Sequence, residues 1–362
     1  MPNYKYQSLA EQLKCEILAA NSASGQKIPT EGELIERFSV SRNTIRQAIN
    51  LLVAEGFLVK VQGSGTFISE RLAEYRGKKR ISQKTKCIGV VMNQVSAYVF
   101  PHVLMGISDY LFEHDYYMII RMTFNQVARE EQVLSEMLDA DVAGMIIEPA
   151  RSALPTLNTE LYKEIEKKYP CVLIHAEMPE FTFPSIDNSN VEGYELLLDY
   201  LVEKGHKDIA AFCKLDEQTG VKRYLGYARG LNKHGLKLNE SRVLWFADED
   251  FENIFSEENA PRVFKAIKNC TAVMCFNDDL ANKFLPFLEK HKILVPEDLS
   301  VVGFDDLRQS PNDRPLTTVA HAKRELGRAA AKAILDLIEN PFAEVSHRFK
   351  PEIIERETVR SV

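Results

Sequence analysis

Residues 28–67 read IPTEGELIERFSVSRNTIRQAINLLVAEGFLVKVQGSGTF, and this stretch decides what the first part of the chain is. Thr30 followed by Glu33 has the spacing of a capping box, in which each side chain satisfies the other residue's free backbone N–H. That spacing predicts a helix from about Glu31 to Phe38. Val40 and Ser41 make the turn, and Ser41 can cap a further helix from Arg42 to about Glu55, ended by Gly56. Ile45, Ile49, Leu52 and Val53 form its apolar stripe, with Arg42, Asn43, Arg46, Gln47 and Asn50 largely on the other side. Beyond it, two β-rich runs flank Gln62-Gly63-Ser64-Gly65 and read as a hairpin. Upstream, Leu9, Leu13, Ile17 and Ala20 recur at three- and four-residue steps, an amphipathic helix that the Asn21–Gly25 stretch ends.

Three helices followed by a hairpin describe a winged helix-turn-helix, whose second helix of the pair lies in the DNA major groove. Arg42 and Arg46, one turn apart near the start of that helix, suit guanine, because a guanidinium fork bonds O6 and N7 together. Ser41, Asn43 and Thr44, with the positive end of the helix, suit phosphate oxygens and neighbouring base edges. Gly63 and Gly65 allow the hairpin tip to approach the duplex closely, Gln62 adds a polar reader, and Lys5 can reach a phosphate. A solvated helix face is the plain alternative for an isolated Arg pair. The whole string, however, resembles the DNA-binding domain of the GntR family of bacterial transcription regulators across residues 4–69. The resemblance rests on the P-[ST]-E-x-x-L start, the S-R-x-T-[IV]-R helix and the G-x-G-T-F wing. It implies DNA contacts at Arg42, Thr44, Arg46 and the wing around Gly63 and Gly65.

Charge follows the same division. Residues 1–85 carry 13 Lys and Arg against 8 Asp and Glu, whereas the other 277 residues carry 32 against 44. A basic head on an acidic body suits a polyanionic partner for the head. Residues 70–86 are polar and basic without an apolar period and read as a linker, whose Lys78-Lys79-Arg80 run adds phosphate attraction. The division expected is therefore 1–69 head, 70–86 linker and 87–362 body. The composition, 45% apolar and 27% charged over 362 residues, excludes wholesale disorder. No apolar run approaches the ~18–20 residues of a membrane span, and the polar start does not read as a secretory signal. Six cysteines are scattered with no CxxC pair, so reduced thiols, a cytoplasmic location and no metal site are expected.

In the body, apolar runs alternate with helical stretches: Ile88–Met92, Tyr117–Met122, Gly144–Ile147, Cys171–His175, Ile209–Cys213, Ala272–Phe276 and Ser300–Phe304. Such alternation predicts an α/β fold of doubly wound parallel sheets, and the length favours two lobes. Ligands of open α/β sheets bind outside the carboxyl ends of the strands. Glu148, His175, Asp187, Asn277 and Asp305 follow such runs, and acids and amides there suit a hydroxyl-rich ligand. Helix caps and turns are the plain alternative for each taken singly.

The body resembles the effector domain of the LacI/GalR repressors, itself similar to periplasmic sugar-binding proteins. The matching segments are SIDNSNVEGYELLLDYLVEKGHKDIA, VKRYLGYARGL, VMCFNDDLA, VPEDLSVVGFDD and PLTTVAHAKRELGRAAAKAILDLI. The resemblance implies that Arg223, Asn277 and Asp305 hold sugar hydroxyls, that Phe100 stacks on the ring and that Asp187 lies between the lobes. Glu148 and His175 are added from strand-end placement alone. A GntR-type head on a LacI-type body resembles the arabinose-operon repressors of Gram-positive bacteria. That resemblance implies a homodimer on operator double-stranded DNA, released by a monosaccharide effector, L-arabinose, with no other cofactor. The LacI hinge helix is missing from the pattern, so its coupling mechanism does not carry over. Two rival readings are a sugar-acting enzyme, supported by Glu148, His175, Asp305 and His321, and a transport-associated binding protein. The first finds no dinucleotide fingerprint, Walker A or nucleophile elbow, so no catalytic residue is expected. The second leaves the head unexplained. A repressor answering to another pentose or hexose remains the nearest alternative.

Overall fold

The computed structural model describes residues 25–54, 56–69, 85–95, 99–307 and 315–362, together with Tyr6, Leu9, Ala10, Leu13, Lys14, Glu16 and Ile17, which lie in a first helix. Lys5 and the Lys78-Lys79-Arg80 run fall outside the described residues. In the head, α1 (Glu31–Phe38) opens on the expected capping box: Glu33 N donates to Thr30 Oγ1 at 3.3 Å and Thr30 N to Glu33 Oε2 at 2.6 Å. α2 (Arg42–Ala54) buries Ile45, Ala48, Ile49 and Leu52 against Leu9, Leu13, Ile17 and Leu34. β1 (Leu58–Val61) and β2 (Gly65–Ile68) pair antiparallel as the wing.

The body contains two parallel sheets. The first runs β13-β7-β6-β5-β3-β4, built from β3 (Cys87–Met92), β4 (Tyr117–Met122), β5 (Gly144–Ile147), β6 (Cys171–Ile174), β7 (Ser185–Asn188) and β13 (His347–Phe349). The second runs β11-β10-β8-β9, from β8 (Ile209–Lys214), β9 (Val243–Phe246), β10 (Ala272–Met274) and β11 (Ser300–Val302). β12 (Thr318–Val319) and β14 (Ile353–Ile354) form a small antiparallel pair. α3 (Phe100–Glu113), α4 (Val127–Asp139) and α5 (Thr159–Lys168) join the strands of the first lobe. α6 (Asn190–Glu203), α7 (Gln218–Lys233), α8 (Ala260–Ile267) and α9 (Asp278–Lys290) serve the second. α10 (Lys323–Glu339) returns to the first lobe and packs on α3.

Helices cover both faces of each sheet, so the central strands are buried throughout and read as continuous apolar runs. β7, β9, β12, β13 and β14 were not among the runs expected. Only two to four residues long, they owe their extension to pairing with a neighbour. Three runs also end sooner than expected: β6 stops before His175, β10 before Phe276 and β11 before Phe304. That shortening sets the site, because the residues beyond the strand ends turn out of the sheets.

Candidate functional site

On the head, Ser41, Arg42, Asn43 and Arg46 are exposed at the start of α2, with Thr44 half-buried; Gln62, Gly63 and Gly65 are exposed on the wing. Ser41 Oγ accepts from Thr44 N at 3.2 Å and lies 2.8 Å from Thr44 Oγ1, so it caps the helix as expected. Arg46 Nε donates to Glu31 Oε2 at 2.9 Å, which aims its guanidinium from α1. Sequence reasoning missed two wing cations. Lys27 pairs with Phe67 of β2 in an isolated antiparallel bridge, and its ammonium lies 5.9 Å from the Phe67 ring. Lys60 donates to Asn50 Oδ1 at 2.6 Å, tying the wing to the helix. Lys60 sits in the quoted stretch and was readable; Lys27 reaches the wing only through the fold.

The second candidate site is a cavity of ≈ 120 Å³ between the lobes. Phe100, Glu148 and His175 reach it from the first lobe; Arg223, Asn277 and Asp305 reach it from the second. Glu148 and His175 directly follow β5 and β6, and Asn277 and Asp305 lie just beyond the ends of β10 and β11, where the switch-point rule places ligands. Arg223, on α7, donates from Nε to Asn190 Oδ1 (3.0 Å), from Nη1 to the Phe276 carbonyl (2.6 Å) and from Nη2 to Asp305 Oδ1 (2.9 Å). Its guanidinium lies 3.8 Å from the Phe304 ring centre. Three of its five N–H groups are thus committed and two remain for a ligand. Asn277 caps α9 through its Oδ1, accepting from Leu280 N at 2.9 Å, and also lines the cavity.

His175 Nδ1 and Glu148 Oε1 are 2.8 Å apart, and Glu148 Oε2 accepts from Asn93 N. Among the described residues, His175 Nε2 and His321 Nδ1 are buried without a protein partner while their residues line the cavity. His175 and Asp305 also hold φ of 59° and 102°, left-handed conformations that non-glycine residues adopt at a cost and that gather at binding sites. Burial pushes the Asp305 carboxyl up to about 8 and the Arg223 guanidinium down to about 10. Burial also opposes the His175 imidazolium, but the Glu148 carboxylate more than offsets it and leaves the pKa raised.

Burial, followed by the cationic neighbours His175, Lys323 and Arg223, holds His321 neutral well below its ordinary 6.5. The unfolded chain therefore takes up a proton near that pH that the folded chain refuses, and stability falls as pH drops through it. The slope for one such group is at most ~1.4 kcal/mol per pH unit. His321→Gln should flatten this acid-side loss, read as urea midpoints of the full chain at about pH 7, 6 and 5. Parallel curves for variant and wild type would refute the assignment.

Asp187 requires correction, because it does not line the cavity. Its carboxylate accepts from Asn188 N (2.8 Å) and Asn190 Nδ2 (3.1 Å) and meets Lys222 Nζ of α7 at 2.9 Å. The residue does lie between the lobes, but as an ion pair joining them. Lys214, Glu217, Asp248 and Asp279 were missed and do line the cavity. Lys214 ends β8 and was open to the same strand-end argument. Its ammonium is bracketed by Glu217 (2.6 Å) and Asp248 (2.7 Å), which raise its pKa against the effect of burial. The two carboxylates offset the charge of that ammonium. Among the described residues no His, Cys, Asp and Glu group could hold a metal ion, and no helix is long and apolar enough to cross a membrane.

Residues 5–68 match the model of the bacterial regulatory proteins of the gntR family, and residues 198–359 match the periplasmic binding protein-like domain. Over 99% of this chain and 98% of the relative, the sequence is 34% identical to the arabinose metabolism transcriptional repressor of Geobacillus stearothermophilus. The chain belongs to the arabinose metabolism transcriptional repressors. A second member, from Halalkalibacterium halodurans, is 33% identical over 92% of this chain and 89% of its own length. The fold of the body is that of the transcription regulator CcpA of Lactococcus lactis (TM-score 0.66, 21% identity, 76% of this chain and all of that one). As a member of the family, the chain is a sugar-responsive, DNA-binding repressor.

Proposed function

We propose that the effector of this repressor is L-arabinose, held between the lobes, and that its binding releases operator DNA. The observation that carries the reading is the buried Arg223–Asp305 pair, with two guanidinium N–H groups uncommitted at a cavity that Phe100 also lines. An uncharged polyol supplies both donors and acceptors to such a set, and the ring covers its apolar face. The ≈ 120 Å³ cavity is well below the ~300–1,000 Å³ of drug-sized sites, which favours one monosaccharide ring. The relatives' names supply arabinose. Ser41, Arg42, Asn43, Thr44, Arg46 and the Gln62–Gly65 tip carry operator contact in this reading. The protein acts in the cytoplasm without catalysing a reaction. It works as a homodimer, supported by exposed Met105 and Phe112 on α3 beside exposed Tyr117 of β4, an edge strand.

A thermal-shift panel of pentoses and hexoses tests the ligand. L-Arabinose at about 100 times its dissociation constant should stabilise the chain by ~2.7 kcal/mol and release a duplex previously retarded by it. Stabilisation by a different monosaccharide alone would replace L-arabinose with that sugar; release by none would end the reading.

A further inference from the structure

We infer that the Phe342 ring is the seat on which the sugar-binding body holds the DNA-reading head, and that α10 carries cavity occupancy to that seat. The inference rests on the sugar-responsive reading above and adds the route by which one site reaches the other.

The head meets the body at a single aromatic contact among the ring pairs of the described residues. Phe342 stands edge-on to Phe57, centroids 5.0 Å apart and planes at 75°. Beside it Gly56 (φ 74°) leaves room: a Cβ there would lie 3.3 Å from the Phe342 ring. Phe57 is fully buried in the head and also carries the Lys14 ammonium 4.4 Å from its ring centre. Gly56 and Phe57 follow the end of α2, the helix whose other end presents Arg42. The recognition helix therefore has its C-terminal end on Phe342 and its N-terminal end free for DNA. A small tilt at the seat becomes a larger displacement at Arg42, ~20 Å away along a helix of 13 residues.

Phe342 is itself fixed. It lies in a turn after α10 in which Asn340 Oδ1 accepts from Phe342 N at 3.3 Å and the Asn340 carbonyl from Ala343 N at 2.9 Å. α10 has 17 residues, so it spans ~25 Å, and it begins just after His321, which lines the cavity. α3, which begins at Phe100 in the same cavity, is locked to it. A Cβ on Gly106 would sit 2.1 Å from the Arg324 carbonyl oxygen, and one on Gly327 2.0 Å from that of Val103. No side chain fits at that crossing, and the backbones touch. Arg324 pairs with Asp109, and Arg328 forks onto both oxygens of Glu113 at 3.0 and 2.7 Å. Two helices that start at the cavity thus move as one body, and one of them ends under the head. Packed elements of this kind shift as units rather than deform.

The experiment uses the full chain, L-arabinose and a duplex selected by the wild-type chain from a random-sequence pool. The wild type should lose duplex affinity on sugar binding by ~5–150-fold, the usual range of such coupling. Phe342→Ala should keep its sugar-free duplex affinity and its L-arabinose dissociation constant, each within about two-fold, while sugar changes its duplex affinity by less than about two-fold. A variant as responsive as the wild type overturns the seat and leaves the sugar-responsive reading standing; a wild type that ignores sugar removes both. Hydrogen exchange on the unmodified chain decides the matter if the variant folds poorly. L-Arabinose should change amide protection at residues 56–58, and unchanged protection there overturns the inference.

Discussion

Asp305→Asn should weaken sugar binding by about 5- to 150-fold, because an NH2 group replaces one of the two carboxyl oxygens that can face a sugar hydroxyl, and a buried polar group left unpaired costs ~1–3 kcal/mol. The substitution is chosen for what it preserves. Asn matches the shape of Asp, tolerates the φ of 102° better than most residues, and still offers Arg223 Nη2 a carbonyl oxygen. Asp305→Ala would instead leave a fully buried guanidinium without its carboxylate, an error of ~3–5 kcal/mol that confuses folding with binding. With the Asn variant, operator affinity without sugar should be unchanged, and release should need correspondingly more sugar. Retardation of the selected duplex against increasing L-arabinose measures both. A variant that lets go at the wild-type sugar concentration would remove Asp305 from the binding set.

Arg42→Ala should cost ~1–3 kcal/mol in specific DNA binding and relax preference at one base position. Arg42 is the sharper probe of the two arginines. It is exposed at the first position of α2 and has no ion-pair partner among the described residues, whereas Arg46 is already held by Glu31. Loss of Arg42 therefore disturbs no ion pair among the described residues of the head, so a change in DNA binding reports on Arg42 itself. Titration against the selected duplex and a scrambled one, at several salt concentrations, separates the two roles open to it. A loss confined to the selected duplex assigns a base edge. Equal losses on both, with a salt slope reduced by ~1, assign a phosphate instead.

The head was almost entirely legible in its sequence because its determinants are local. Thr30 and Glu33 cap over three residues, Ser41 caps the next helix, and the stripe of Ile45, Ile49 and Leu52 has one period that only a helix satisfies. Strand ends in the body were nearly as legible. Buried parallel strands leave long apolar runs, and the polar residue that follows each run is where the chain leaves the sheet. Glu148, His175, Asn277 and Asp305 were found that way and do line one cavity. The same rule placed Asp187 there wrongly. Whether a strand-end carboxylate faces a cavity or a lysine depends on what the opposite lobe presents, and Lys222 lies 35 residues further along the chain.

What the amino-acid order determined alone is therefore the helices of the head, the buried central strands of the body, the division into head and body, and the types of side chain beyond those strands. Only the tertiary structure decided which of those side chains share a cavity, that Asp248 meets Lys214, that Lys27 reaches the wing, and that Phe342 touches Phe57. The reason is range. Helix caps and apolar periods act over three or four residues and leave a mark in the sequence, whereas a contact between residues tens or hundreds of positions apart leaves no local period and exists only once both lobes and the head are packed.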